Sequence, residues 1–389
     1  MRLRHADGTL VHLAYCANVH PADDLPGVLD RLGRYAEPVR RLLGVPRLSI
    51  GLWLPRPVAA LLAAEPAALE KLRAALDGGG LEVVTLNGFP YAGFGREVVK
   101  TDVYLPDWGD PERLAYTVDL ARILAALLPG DAVRGSVSTL PLGWAPWWDG
   151  ERRDRARRHL DALAAELDDL EERTGRAVRV GLEPEPGCVV ETTADAARHL
   201  SGLDPRRLGV CLDACHLAVA FEEPEEALAR LDAAGLPVVK TQASAALHAA
   251  DPRAARSALA AFAEPRYLHQ TRALEARGVH RADDLPDALG GASGGGLPVD
   301  APWRVHFHMP LHADPPAPLT STRAELAATL RALVGGPAAR TDHIEVETYT
   351  WTVLPGGGTA GDRLVAGIAA ELDWTRAELL RLGLTDETA

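Results

Sequence analysis

The segment VRVGLEPEPG, residues 178–187, reads like the inside of a β-strand and then ends in Glu183 and Glu185, each followed by proline. The pattern recurs downstream. CLDACH offers Asp213 and His216, VVKTQ offers Lys240 and Gln242, WRVHFHMPLH offers His306, His308 and His312, and HIEVETYTW offers Glu345 and Glu347. Residues i and i+2 share a strand face, so Glu183 pairs with Glu185, His306 with His308 and Glu345 with Glu347. Carboxylates and imidazoles gathered in an apolar interior repel and lose hydration unless something compensates. For any one residue that something can be one of the chain's many arginines. For four strand ends converging together, a shared divalent cation is the better expectation, and mixed Glu, Asp and His donors suit Zn, Mn, Fe or Co more than calcium.

Convergence requires a scaffold that brings distant segments to one place. Short apolar segments at 13–19, 48–53, 81–87, 133–138, 178–183, 208–213, 238–242, 303–308 and 343–349 read as strands. Between them, 57–77, 111–128, 151–174, 193–201, 223–234, 251–262, 321–334 and 362–381 carry helical periodicity, several with caps such as Asp110-Pro111 or a closing glycine. Repeated β-then-α units with nearly continuous apolar strands imply a parallel sheet covered by helices. At 389 residues with about eight units, the expected architecture is a (β/α)8 TIM barrel, whose reactive groups gather at the C-terminal ends of its strands. A doubly wound open sheet is the competing fold, but NGFPYAGFG after the third strand is neither GxGxxG nor a P-loop. Nine strands are one too many for the barrel, so an insertion is expected around 245–302, which holds the exposed Gly-rich stretch GGASGGGLP. The chain reads as one domain over 1–389, with a core of about 13–355 and a C-terminal helical extension over 360–389.

Other residues follow from position and rarity. Lysine occurs only at 71, 100 and 240 and asparagine only at 18 and 87, as a GC-rich coding background would leave them, so each survivor hints at a needed side chain. Asn18, His20, Asn87 and Tyr91 follow early strands and are candidates to hold substrate hydroxyls, as are Glu185, Gln242 and His306. For Asn87, before Gly88, turn formation is the plainer reading. Lys240, below Gln242 on the same face, would stabilise an enolate, phosphate or carboxylate. GWAPWWDG at 143–150 suits an apolar wall over the pocket or a surface loop on the next helix. Cys16, Cys188, Cys211 and Cys215 show no metal-binding spacing and read as buried thiols. The charged run at 149–175 reads as a solvated helix face with i,i+4 pairs.

The net charge of −13 opposes nucleic acid as a partner. No run of about 18 apolar residues is present, so no membrane span is expected, and MRLRHADGTL lacks the apolar segment of a signal peptide, which makes the cytoplasm the expected location.

Glu at the end of the fifth strand, DxxH at 213–216, a polar residue further on and Glu on the last strand resemble the xylose-isomerase-like TIM barrels over about 13–355. YCANVHPADD, VVTLNGFPYAGFG, DVYLPDWGDPERLAYT, GSVSTLPLGW, EPEPGCVVET, RVHFHMPL and HIEVETYTWTVLP look more narrowly like the metabolite traffic proteins called EboE, a branch of that superfamily. The resemblance implies metal ligation by Glu183, Asp213 and Glu347, with His216 beside the metal or on substrate. Where the superfamily usually places a third-ligand histidine, this chain has Gln242, so either Gln242 ligates through its amide oxygen or His308 replaces the imidazole, the favoured alternative. Glu345 is the fallback for Glu347.

The expected function is a metal-dependent isomerase or epimerase of a sugar, cyclitol or related polyhydroxy metabolite, with Glu183, Glu347, His216 and Lys240 as its catalytic groups. Two alternatives stand beside it. One is a metabolite carrier serving other enzymes of a pathway, and the other a metal-dependent hydrolase, which would need more histidines.

Overall fold

The computed structural model describes residues 1–290, 295–356 and 361–387. Eight parallel strands form its centre: β1 Leu10–Cys16, β2 Leu48–Trp53, β3 Leu81–Asn87, β4 Arg134–Thr139, β5 Ala177–Leu182, β6 Leu208–Asp213, β7 Val238–Ala243 and β8 His343–Val346. Each pairs with the next, and β8 pairs with both β7 and β1, so the sheet closes into a (β/α)8 barrel. Strands such as LEVVTLN are buried at every position, as expected where one face fills the barrel and the other meets helices. No helix among the described residues is long and apolar enough to cross a membrane.

The helical ring differs from expectation in three places. The 57–77 segment is two helices, Arg56–Ala64 and Pro66–Gly79; Pro66 forces Glu65 into an extended conformation. A helical stretch unannounced by periodicity runs from Leu25 to Leu43 through a π turn at Leu32–Ala36, its pattern diluted by Gly27, Gly33 and Pro38. The helix placed in a C-terminal extension, Gly361–Arg381, packs on β1 and on the 37–43 helix and completes the ring. The charged helix Gly150–Thr174 has the solvated face expected, with Arg155–Glu151 and Arg157–Asp161 pairs along it.

The surplus strand is not a barrel strand. Trp303–Val305 lies in a second, antiparallel sheet with Leu247–Ala249, Thr271–Glu275, Gly278–Ala282 and Thr320–Ser321. The insertion after β7 is therefore wider than 245–302. It has its own core around Leu259, Phe262, Trp303 and Phe307, while the helix expected at 251–262 shrinks to Arg256–Ala260. Residues 291–294 of the Gly-rich stretch lie outside the described residues. A buried Arg272–Glu191 ion pair of 2.7 Å ties the insertion to the loop after β5, setting it over the C-terminal ends of the strands.

A candidate metal centre at the barrel mouth

Glu183 immediately follows β5, Asp213 ends β6 and Glu347 immediately follows β8. One oxygen from each lies within 4.8 Å of the others. All three residues are buried, and none is paired to a lysine or arginine among the described residues. Burial first, then Glu347 and Asp213, pushes the Glu183 carboxyl well above its usual range. Burial and Asp213 raise Glu347 to about 8. Without a cation the cluster holds protons it would otherwise shed.

The environment fixes one side of Asp213, Glu347 and His308 and leaves buried acceptor atoms open. Asp213 Oδ1 accepts from the His216 amide at 2.9 Å and from Ser244 Oγ at 2.8 Å. Glu347 Oε1 accepts from Asn18 Nδ2 at 2.6 Å and Asn87 Nδ2 at 3.1 Å. His308 Nδ1 donates to the Glu347 carbonyl at 2.7 Å, which assigns its proton and leaves the Nε2 lone pair free. Buried Glu183 Oε2, Asp213 Oδ2 and His308 Nε2 have no hydrogen-bond partner. His308 Nε2 stands 3.9 Å from Asp213 Oδ2, and ligand atoms about 2.0–2.2 Å from a common ion sit roughly 3–4 Å apart. Orphaned atoms of this chemistry fit a divalent cation.

His308 reaches the centre from the insertion. The strand ends at Val305, so His306 and His308 do not share a strand face as the i, i+2 reading expected; Met309 N donates to Ala245 O instead and anchors their segment against the end of β7. Gln242, on β7, is fully buried with neither amide atom partnered, so both candidates for the third ligand have a free acceptor.

Beside this centre runs a ring of hydrogen bonds closed by one His216–Glu185 contact. His216 Nε2 lies 3.0 Å from both Glu185 Oε2 and His306 Nε2. His306 Nδ1 meets Gln270 Oε1 at 2.8 Å, Gln270 Nε2 donates to Tyr104 Oη at 2.7 Å, and Tyr104 Oη donates to Glu185 Oε1 at 3.0 Å. Burial opposes a charge on His216, but Asp213, Glu185 and Glu347 outweigh it and raise the imidazole above its usual value. Burial holds His306 well below that value. The proton between them thus belongs to His216. Tyr104 and Gln270 were not singled out in the sequence, and nothing in spacing or rarity marks them.

Other expected site residues fall elsewhere. Asn18 and Asn87 line the cavity; the Nδ2 of each donates to Glu347 and Asn87 Oδ1 accepts from Phe89 N at 3.0 Å, while the buried Asn18 Oδ1 has no partner and stays open to a substrate hydroxyl. His20 hydrogen-bonds Tyr15 Oη at 3.0 Å and stacks on Tyr35, outside the cavity. Tyr91 packs on Tyr116 and the Arg113 guanidinium. Lys240 does not line the cavity; it is fully buried beneath the ligands and ion-paired to Glu345, which removes both it and the fallback Glu345 from direct contact with substrate. His312 stacks on Trp351. Of the tryptophan run, Trp144 stacks behind Tyr104 and Trp147 faces solvent, so it forms no wall of the cavity. All four cysteines are buried and free.

The two asparagines carry a prediction. Removing a partner that orients a ligand typically lowers metal affinity about 10- to 100-fold. Asn18→Ala and Asn87→Ala are each expected to weaken metal binding in that range, measured by competition with a chelating dye, while Tyr91→Phe leaves it unchanged. Equal affinity in both asparagine variants would show that Glu347 needs no support.

A family profile described as Xylose isomerase-like TIM barrel matches residues 49–265, more than half of the chain. Among solved structures, a xylose isomerase-like TIM barrel protein from Mycobacterium smegmatis in complex with magnesium is 14% identical, with a TM-score of 0.51 over 95% of this chain and 98% of that one. D-psicose 3-epimerase from Clostridium cellulolyticum H10, solved with D-tagatose, is 14% identical with a TM-score of 0.49, over 95% and 99% of the two chains. The probable 3-DHS dehydratase AsbF from Bacillus anthracis is 13% identical with a TM-score of 0.46, over 94% and 98%. At these identities the likeness concerns the fold. No curated protein sequence matches the chain.

Proposed function

The chain belongs to the xylose isomerase-like TIM barrel family, and from that premise we propose that it is a divalent-metal-dependent isomerase or epimerase of a sugar, cyclitol or related polyhydroxy metabolite, working in the cytoplasm. The observation that carries the reading is the set of buried, unpartnered atoms on Glu183, Asp213 and His308 around the Glu347 carboxylate. These four residues would hold the ion, with Gln242 in reserve. A bound divalent ion would polarise adjacent substrate oxygens and acidify the carbon or hydroxyl between them.

The chain's own groups then move the proton. Glu183 and Glu347 arrive from β5 and β8, well apart around the barrel, so a carboxylate stands at either strand end to take or return a proton at the substrate. Asn18 and Asn87 hold Glu347 in one rotamer. His216, backed by Glu185, stands beside Asp213 as a proton donor, and the insertion shields the exchange from solvent.

The test is hydrogen exchange. Metal-loaded protein in deuterated water is expected to place deuterium on carbon in at least one member of a panel of ketoses and inososes, and EDTA is expected to abolish it. The resemblance to EboE supports a second reading, in which the same site holds a metabolite for other enzymes without turning it over. Tight binding with no exchange across the panel would favour that carrier and overturn the isomerase.

A further inference from the structure

The cavity above the metal centre has two unlike halves. Its floor carries Asn18, Asn87, Glu183, Glu347, His216 and His308. Its outer half is apolar: Phe89, Phe94, Val99, Val103, Tyr267 and Leu268 come from the loop after β3 and from the insertion. With Tyr104 and Tyr349, five of the chain's twelve Phe and Tyr residues line this one cavity. Phe94, Tyr267 and Tyr349 contact one another with ring centroids 5.0–5.6 Å apart. The Tyr349 ring lies 4.7 Å from that of His308, so the apolar wall begins where the ligand set ends.

Little in that outer half can receive a hydroxyl. Tyr267 Oη donates to Phe94 O at 3.3 Å, Tyr104 Oη is spent on Glu185 and Tyr349 Oη lies 3.5 Å from His306 Nε2. Hydroxyls placed there would lose water without replacement, which is costly. Nor can it receive an anion. Among the described residues no arginine lines the cavity, and Lys100, its one lysine, has Nζ committed to Tyr267 O at 2.7 Å, Asp284 Oδ2 at 2.5 Å and Glu264 O at 3.5 Å. The helix beginning at Ala214 has its first turn capped by Asp213 itself, leaving no free helix N-terminus for a phosphate there.

Resting on the metal-centre reading above, we propose that within the polyhydroxy class the substrate is an uncharged derivative that presents two adjacent oxygens at one end and carries an apolar or aromatic group at the other, and not a sugar phosphate. The oxygen pair faces Glu183, Asp213 and Glu347, and the apolar group lies against Phe94, Tyr267 and Leu268.

Hydroxamates test this with a constant oxygen-pair head and a variable tail. Acetohydroxamate, benzohydroxamate, octanohydroxamate and phosphoglycolohydroxamate are titrated calorimetrically into Mn²⁺-loaded protein, each affinity referred to that for Mn²⁺ in the same buffer. Benzohydroxamate and octanohydroxamate are expected to bind at least about tenfold tighter than acetohydroxamate, from burial of the added carbon, and phosphoglycolohydroxamate no tighter. Phe94→Ala is expected to narrow the benzohydroxamate advantage to under about threefold. Equal affinities across the wild-type series, or a preference for the phosphate tail, would overturn the proposal while leaving the metal centre intact; the rings would then serve only to cement the insertion to the barrel. If no hydroxamate binds, the metal reading fails and this one with it.

Discussion

Glu183→Ala and Asp213→Ala are expected to purify folded but to retain less than about a tenth of the wild-type metal, and to lose hydrogen exchange into any substrate. Loss of a supporting residue already costs about 10- to 100-fold in affinity, so loss of a ligand should exceed it. The two variants should differ in stability. Asp213 also caps the Ala214–Val219 helix through Oδ1, so Asp213→Ala forfeits about 1 kcal/mol of capping that Asp213→Asn keeps. Glu183 has no such second role. Its removal relieves repulsion in the metal-free protein, so Glu183→Ala should be no less stable than wild type in EDTA.

The pH dependence separates this account from an ordinary ion-pair network. A carboxyl raised in the folded state binds its proton more tightly there than in the unfolded chain, so folded metal-free protein carries extra protons and its stability falls as pH rises. For Glu347 that window runs from the ordinary 4.5 to about 8. Metal must displace the same protons, so its affinity should climb through this window and proton release should accompany binding. Thermal melts in EDTA and with saturating Mn²⁺, between pH 5 and 8.5, check both directions. Metal content unchanged in both Glu183→Ala and Asp213→Ala would refute the assignment.

Much of this centre is legible in the chain because strand-end chemistry survives errors in the strands themselves. The first strand is Leu10–Cys16 rather than 13–19, yet Asn18 still arrives at Glu347. Rarity also carried information: Asn18, Asn87 and Lys240 are all buried, and Lys100 fastens the loop after β3 to the insertion. Illegible parts share a physical cause. Two- to five-residue antiparallel strands have too few alternations to reveal a period, so the sequence pattern makes the insertion too narrow and puts His306 and His308 on one strand face. Tyr104 and Gln270 act through contacts that only the folded loop and insertion create.

Lys240 marks the difference between a rare residue and a catalytic one. Burial alone would push its ammonium toward neutrality, and the Glu345 carboxylate more than offsets that. Both side chains are fully buried, and Gly51 makes the room, since a Cβ there would overlap the Glu345 carboxylate. Breaking such a pair by removing one partner costs about 3–5 kcal/mol, because the other charge is left buried alone. Lys240→Met is therefore expected to lose stability of that order in urea unfolding of the metal-loaded protein. Lys240→Met with Glu345→Leu should recover most of it, since replacing a buried pair by apolar residues is often neutral. A lysine acting on substrate predicts the opposite pattern: the double variant would remain inactive while folded. Recovery of stability together with hydrogen exchange in the double variant would fix the pair as the platform beneath the ligands, and recovery of stability alone would return Lys240 to the chemistry.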